Sequence, residues 1–345
     1  MLTNSLKIIR RFTVSNCIGI DVSKANINIH IAKNNQDLVL ENSLKGFKSL
    51  LSKLKKIYKK EIENIIFIFE PTGSYSEALR KYCSEKQIKC FIINPKQFSN
   101  YAKALGVEVK NDIEDARVLS KALALAKEGQ VKVPLVNKDV EQIKELMSFY
   151  KFTKKQTTQQ SNHLESLTSK DGDKFSIKEL QKSIVASKKK ELRIIEQVQT
   201  LIDSTDEYRI AYENIISIKG VGQIAGIVLL HLFLKYPEAN QRQITSLTGL
   251  NPIYRQSGTS IQSGYRIAKT GAGLYRGTLF MATLSAIQYD KKFKAIYNRL
   301  KEKGKHSTSA QIAVMRKIIL LAHSLYKNNR KYDENFNSQE ASNMQ

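Results

Sequence analysis

Asn111-Asp112-Ile113-Glu114-Asp115-Ala116-Arg117-Val118-Leu119 closes a region of alternating strand and helix patterns and opens an apolar helix. At 100° per residue, Asp112 and Asp115 lie about 60° apart on one helical face, whereas Glu114 points about 160° away from Asp112. Two carboxylates on one face repel unless a cation or a proton sits between them. An acidic first turn that complements the helix dipole explains the same residues more plainly. Two acids earlier in the chain bear on the choice.

Upstream, Cys17-Ile18-Gly19-Ile20-Asp21-Val22 reads as a buried strand that delivers Asp21 near its end. Asn26 to Ala32 alternates Ile27, Ile29 and Ile31 with polar partners, and Asp37 to Asn42 adds a third strand, so an antiparallel meander is predicted. Lys45 to Lys60 has helical spacing, with Phe47, Leu50, Leu51, Leu54 and Ile57 on one side. Asn64 to Phe69 is almost continuously apolar, as a strand covered on both faces requires. Glu70 and the turn Pro71-Thr72-Gly73 follow. A helix over Ser74 to Glu85 leads to a strand at Cys90 to Ile93, stopped by Asn94-Pro95. The order β-β-β-α-β-α-β-α is that of an RNase H-like fold, in which strand ends converge and bring Asp21 and Glu70 together.

Four gathered carboxylates suit hard divalent cations. Two magnesium ions about 4 Å apart can clamp the attacking and leaving oxygens of a phosphodiester displacement. Each acid also has an ordinary reading, Asp21 as a turn residue and Glu70 as a helix cap. Gly19-Ile20-Asp21-Val22-Ser23-Lys24 further resembles the first phosphate loop of sugar kinases and actin-like ATPases, but the Asp-Gly-Gly loop those proteins carry downstream is absent from the sequence.

The formal charge of +24 on 345 residues, of which 41% are apolar, implies a polyanionic partner, with nucleic acid the leading candidate. Apolar runs such as Ile65–Phe69 and Gly226–Leu234 fall far short of the roughly 20 residues a membrane span needs. Met1–Arg11 is polar and does not read as a signal peptide. Cys17, Cys83 and Cys90 are too scattered for a disulfide framework or a zinc site, and the five histidines lack ligand spacing, so a reducing cytoplasm is expected.

Downstream, Gln130 to Leu135 reads as a boundary. Helical spacing runs through Lys138–Ser169 and, after Asp171-Gly172-Asp173, from about Ser176 to Ala211. The pair is expected to form an antiparallel hairpin or coiled coil, with Lys188, Lys189 and Lys190 as a nucleic-acid brace or simply a solvated face. Lys219-Gly220-Val221-Gly222 ahead of an apolar helix resembles a helix-hairpin-helix turn, whose amides meet a phosphate; a turn that merely needs Gly reads the same way. Leu247 to Gly258 reads as a structured loop, followed by Arg266, Lys269 and Arg276. A serine beside cations, here Ser257, is what a phosphoryl-attacking hydroxyl needs, although serines in such loops are common. Asp290–Lys303 and Ser307–Tyr326 are amphipathic helices, and the polar tail from Asn328 is expected to fray.

Taken together and in order, Gly-Ile-Asp-Val-Ser-Lys, Glu-Pro-Thr-Gly, Lys-Asn-Asp-Ile-Glu-Asp-Ala-Arg-Val-Leu, Gly-Val-Gly, Thr-Gly-Leu-Asn-Pro, Gln-Ser-Gly, Ile-Ala-Lys-Thr-Gly and Gly304-Lys305 resemble the DEDD-type insertion-sequence transposases. That family includes the Piv invertase and bridge-RNA-guided recombinases. The resemblance implies a RuvC-like (RNase H-like) α/β domain over 14–135 and a helical coiled-coil segment over 136–212. A mainly α-helical serine transposase domain over 213–330 and a polar tail over 331–345 complete the chain. It makes Asp21, Glu70, Asp112 and Asp115 a tetrad for Mg²⁺, with Mn²⁺ as the alternative ion, and Ser257 the nucleophile. The Gly-Val-Gly turn and the cations beside Ser257 give the expected nucleic-acid contacts as Lys219, Gly220, Gly222, Arg266, Lys269 and Arg276. The implied partners are donor and target DNA, a noncoding bridge RNA, and further copies of the chain, from dimer to tetramer, with composite sites. A bacterial, nucleoid-associated protein without a membrane segment is implied. Lys219 stands where the family often has Pro, and Ala272 and Tyr275 where it more often has Asn and Leu. Rival readings are a RuvC-like nuclease using activated water, a site-specific invertase, and a non-enzymatic nucleic-acid binder on a degenerate RNase H-like fold.

Overall fold

Strand β1 (Cys17–Val22) is buried along nearly its whole length because sheet neighbours and helices enclose it on every side. It pairs antiparallel with β2 (Asn26–Ile31), which pairs antiparallel with β3 (Gln36–Glu41). On its other edge it runs parallel to β4 (Ile66–Phe69), and β4 runs parallel to β5 (Lys89–Ile92), giving the order β3-β2-β1-β4-β5. The computed structural model describes residues 14–106, 111–257 and 261–334, and the chain divides into two compact units, Met1–Val136 and Asn137–Gln345.

In the first unit the period of two along each strand sorts side chains between two cores. Ile18, Ile20, Ile27 and Phe67 pack against α1 (Leu44–Tyr58) and α2 (Glu77–Glu85). Cys17, Ile66 and Ile68 pack on the opposite face with residues of α3 (Pro95–Ala104) and α4 (Asp112–Lys121). The helix expected from Ser74 begins only at Glu77, because Thr72–Ser76 form turns that start with the Thr72 N–H donating to the Glu70 carbonyl at 3.0 Å. Asn94-Pro95, read as a strand stop, also starts α3. Asn94 Oδ1 accepts the Lys96 N–H at 2.9 Å, and Pro95 sits where no N–H is needed.

Helix α4 lies directly on β1 at Gly19. A Cβ there would fall 1.9 Å from the Ala116 carbonyl oxygen and 2.4 Å from the Ser120 nitrogen. Neither backbone group can yield without moving α4 and its acids. Gly19→Ala is expected to lower stability by about 3 kcal/mol or more, read from denaturant midpoints. A midpoint equal to wild type would show that α4 is not seated on this glycine.

The second unit begins with α5 (Lys138–Ser169), which spans the expected residues. It turns at 170–173 into α6 (Lys174–Asp203), with Asp173 Oδ2 capping through the Ser176 N–H at 2.7 Å. The two form an antiparallel hairpin with a buried polar layer, where Thr157 Oγ1 donates to Glu191 at 2.5 Å. The second long helix does not run on to Ala211 as expected. It ends at Asp203, and Thr205 caps a new helix, α7 (Asp206–Ile216), by accepting the Tyr208 N–H at 3.3 Å. Asp206 and Glu207 in the new first turn favour that restart.

Helix α8 (Gln223–Lys235) is buried on most sides, and α9 (Gln241–Leu247) follows it. Helices α10 (Gly273–Tyr289), α11 (Lys291–Glu302) and α12 (Ser307–Lys327) complete the unit. Leu230, Phe233, Leu279 and Ile318 are among the residues of their common core. Part of the stretch read as a structured loop is instead a strand, β6 (Pro252–Ser257), paired antiparallel with β7 (Ile261–Ile267). The tail does not fray at Asn328. The Tyr332 N–H donates to Ser217 Oγ at 2.7 Å, its hydroxyl donates to Asp290 at 2.8 Å, and Asn214 binds Asn329 at 3.0 Å. Among the described residues, no helix is long and apolar enough to cross a membrane.

Candidate active site

Asp21 follows Gly19 by two residues and so lies on the β1 face that α4 covers. The last register pair of β1 and β4 is Ile20 with Phe69, so Asp21 and Glu70 follow it side by side along the backbone. Asp112 and Asp115 occupy the first turn of α4, fixed by Asn111 Oδ1 accepting the Glu114 N–H at 2.7 Å. Burial, and then the charges of Asp112 and Asp115, push the Asp21 carboxyl up to about 6, against the opposing pull of the Val22 N–H. Three carboxylates from two distant segments therefore feel one another. Among the described residues no three His, Cys, Asp or Glu side chains converge as a ready ligand shell, so the cluster is coupled by charge and not closed. Glu114 faces elsewhere, as helical geometry requires, and accepts from Arg117 Nη1 at 3.1 Å.

Around these acids stand polar residues that sequence reasoning passed over. Asn28 and His30, on the strand face opposite Ile27 and Ile29, read as solvent-facing in an alternating strand, yet they are only 6% and 5% exposed. Asn28 is the register partner of Asp21 on β2, and its amide donates to Asp112 Oδ2 at 3.5 Å. His30 Nδ1 lies 2.7 Å from Asp37, whose carboxylate also accepts Arg117 Nε at 3.1 Å and Nη2 at 2.5 Å. Arg117 above all, and His30 after it, hold Asp37 below the usual carboxylate range. This chain of charge ties α4 to the meander beneath it. The readable signal was the charge of Arg117 within the helix and Asp37 at the start of β3, but nothing in their spacing pairs them.

In the second unit Ser257 closes β6 and pairs in register with Ile261, at the turn end of the hairpin; Gly258 lies outside the described residues. The hairpin base is tied by the Ala268 N–H to the Asn251 carbonyl at 3.0 Å and the Lys269 N–H to the Gly249 carbonyl at 3.1 Å. Arg266 and Lys269 are exposed beside this base. Arg276 Nη1 donates to the carbonyls of Thr248 at 3.1 Å and Thr270 at 3.0 Å, holding the loop together. Gly220 is pinned against α10, since a Cβ there would meet the Ala286 nitrogen at 2.3 Å, and its φ of +93° suits glycine. Gly222 is the extended residue that precedes α8, with open space where a Cβ would be. Lys219 pairs with Glu334.

Residues 18–170 match the DEDD transposase model of IS110 elements, and residues 212–298 match the model described as the transposase IS116/IS110/IS902 family. Two relatives named pilin gene-inverting protein, from Moraxella bovis and Moraxella lacunata, are each 26% identical over 334 residues. The alignments cover 92% of this chain and 97% of each relative. With two transposase models of one family matched in succession, the chain belongs to the IS116/IS110/IS902 transposase family and is a DNA-rearranging enzyme.

Proposed function

We propose that this enzyme cuts and rejoins DNA through a phosphoserine ester formed by Ser257, with a divalent cation held by Asp21, Glu70, Asp112 and Asp115 on an RNase H-like domain. The observation that carries the reading is geometric: Asp21 and Glu70 leave adjacent parallel strands at one edge of the sheet, and α4, with Asp112 and Asp115 in its first turn, is seated on the same strand at Gly19. The order Asp, Glu, Asp, Asp along the chain agrees with the DEDD of the matched model. All four donors are carboxylate oxygens, which suits Mg²⁺ or Mn²⁺, and a cation would relieve the repulsion that lifts Asp21. Such an ion, when bound, supplies charge that polarises the scissile phosphate. Asn28 and the Arg117–Asp37 pair keep the acidic turn of α4 on the sheet.

In the proposed step the Ser257 oxygen bonds to phosphorus, the bond to the 3′ oxygen breaks, and the proton lost by the serine ends on the released 3′-hydroxyl. Rejoining reverses this with a new 3′-hydroxyl. Arg266 and Lys269 supply positive charge to the DNA, and Arg276, a charge neutraliser on the sequence reading, supports the loop that carries Lys269. Tetrad and serine belong to separate units of the chain, and pairing them across further copies in a dimer or tetramer is part of the proposal. The chain is read as a helical hairpin over 136–212 and a serine domain over 213–330. The charge of +24 supports a structured RNA as a partner that pairs with donor and target DNA. Inversion of a DNA segment is a second reading, favoured by the two pilin gene-inverting relatives.

The test is to purify the full chain from cells carrying its native flanking DNA, sequence the nucleic acid that travels with it, and trap covalent protein-DNA species on nicked DNA. A discrete noncoding RNA together with a Mg²⁺- or Mn²⁺-dependent adduct at Ser257 is the expected result. Cleavage without any adduct would replace the serine with activated water, and an absent RNA would leave the DNA to be read directly by protein.

A further inference from the structure

After α12 the chain turns back over the loop that joins α7 to α8. Tyr332 is its anchor, held to Ser217 at 2.7 Å and to Asp290 at 2.8 Å, while Lys331 pairs with Glu213 at 3.3 Å. Two residues further on, the Glu334 carboxylate takes the backbone N–H of Lys291, the first residue of α11, at 3.2 Å through one oxygen. Its other oxygen takes the Lys219 ammonium, directly ahead of Gly220-Val221-Gly222. A helix-start amide and a lysine converging on one anionic group is the donor set that binds a phosphate. The chain has filled it with its own carboxylate.

We propose that Lys219 and the Lys291 N–H form a site for a DNA backbone phosphate, and that Glu334 occupies this site in the absence of DNA. The inference rests on the phosphate role read for the Lys219–Gly222 turn. Glu334 is the replaceable element, because Tyr332 anchors the chain before it, its backbone N–H on Ser217 and its hydroxyl on Asp290, and only the side chain beyond it has to swing away. The Lys219 side chain is 51% exposed and Glu334 22% exposed, and ion pairs this accessible exchange partners at little cost. A phosphate arriving there also releases counterions from DNA, which the carboxylate cannot match. Asp290 is the opposing charge nearby. Its buried carboxylate accepts the Tyr332 hydroxyl and the Phe293 N–H, and it keeps the phosphate contact weak. Glu334 therefore acts as a competitor that tunes affinity for DNA, most strongly at low salt where its own pairing with Lys219 is least screened.

The experiment measures binding of the full chain to a short labelled DNA duplex by fluorescence anisotropy across a salt series. Glu334→Gln is expected to bind about two- to fivefold tighter at low salt. Lys219→Gln is expected to bind more weakly and to lower the slope of log affinity against log salt by about 0.9, one phosphate contact, with Lys219→Arg restoring it. In the Lys219→Gln background, Glu334→Gln should give no gain. A gain that persists there would assign the effect to net charge and overturn the site. Weaker binding by Lys219→Gln with no gain from Glu334→Gln would overturn the competition while keeping the phosphate contact. An unchanged Lys219→Gln would remove the phosphate role of the turn itself, and with it the inference.

Discussion

Asp21→Asn is expected to lose DNA cleavage while gaining stability. The carboxyl of Asp21 sits at about 6 in the folded chain, raised first by burial and then by Asp112 and Asp115, against an ordinary value of 3.8. The folded state therefore holds the proton more tightly than the unfolded state, and stability falls as pH rises from about 4 to 6. Above pH 6 the ionised carboxylate weighs on the fold with its full cost. The shift sets an upper bound of roughly 3 kcal/mol, and because Asp21 is only partly buried, solvent screening reduces this to about 1–2 kcal/mol. At pH 8 without divalent cation, the Asn variant should melt roughly 3–8 °C higher in the transition of the first unit. The gain should shrink as pH falls through 6 and vanish near pH 4. Adding Mg²⁺ or Mn²⁺ should stabilise wild type more than the variant, because only the intact acid set binds the ion well. Cleavage should drop at least about a hundredfold, since even residues behind a metal ligand cost that much when lost. A variant no more stable than wild type at pH 8 would mean that the buried Asp21 carboxylate does not weigh on the fold, whereas an equal effect of Mg²⁺ on both proteins, or cleavage at the wild-type rate, would sink the metal-site reading.

The placing of these acids at one edge of the sheet is partly legible in the sequence, and the reason is geometric. Parallel strands advance in step, so acids immediately after or within the ends of apolar runs, Asp21 and Glu70, fall at the same edge once β1 and β4 pair. Helical spacing likewise separated Asp112 and Asp115 from Glu114. Apolar spacing after the boundary at Gln130–Leu135 made α5 readable, and the structure adds the cap that sets its start, with Asn137 accepting the Asp139 N–H at 2.9 Å. The same logic failed for α6 and α7. There the apolar period of 3.6 residues carries through Ile202 and Tyr208 without a gap, and the cap at Thr205 interrupts it by only a short turn. Asn28 escaped because an alternating strand predicts one wet face, and no local pattern announces that α4 will cover it. The docking of Tyr332 on Ser217 joins residues more than a hundred positions apart through polar atoms, which leave no periodic trace. Strand β6 was hidden by Pro252 at its first position and by Gly249 and Gly258 around it, which read as loop chemistry when no partner strand is known.

Ser257→Ala is expected to abolish the covalent adduct and to reduce cleavage by roughly 10⁴-fold or more, while DNA binding stays within about twofold of wild type. The backbone supports this separation of roles. Ties at Asn251–Ala268 and Gly249–Lys269, with Arg276 bound to the Thr248 and Thr270 carbonyls, fix the base of the hairpin. Ser257 belongs to its opposite end, at the last register pair before the turn, so a change there leaves the anchoring untouched. Arg266 and Lys269, at the base, would go on binding DNA. Arg266→Ala should therefore have the converse signature, weaker binding with a lower salt slope and an adduct that still forms at saturating protein. Gel shift and denaturing-gel assays on the same nicked duplex separate the two variants. If Ser257→Ala cleaves at the wild-type rate, the attacking oxygen comes from water, and the hairpin end is only a DNA contact. If it loses binding and cleavage together, the serine belongs to the docking surface. Only loss of the adduct with retained binding assigns the hydroxyl to bond exchange, because a hydroxyl used solely for contact would lower affinity before it lowered rate.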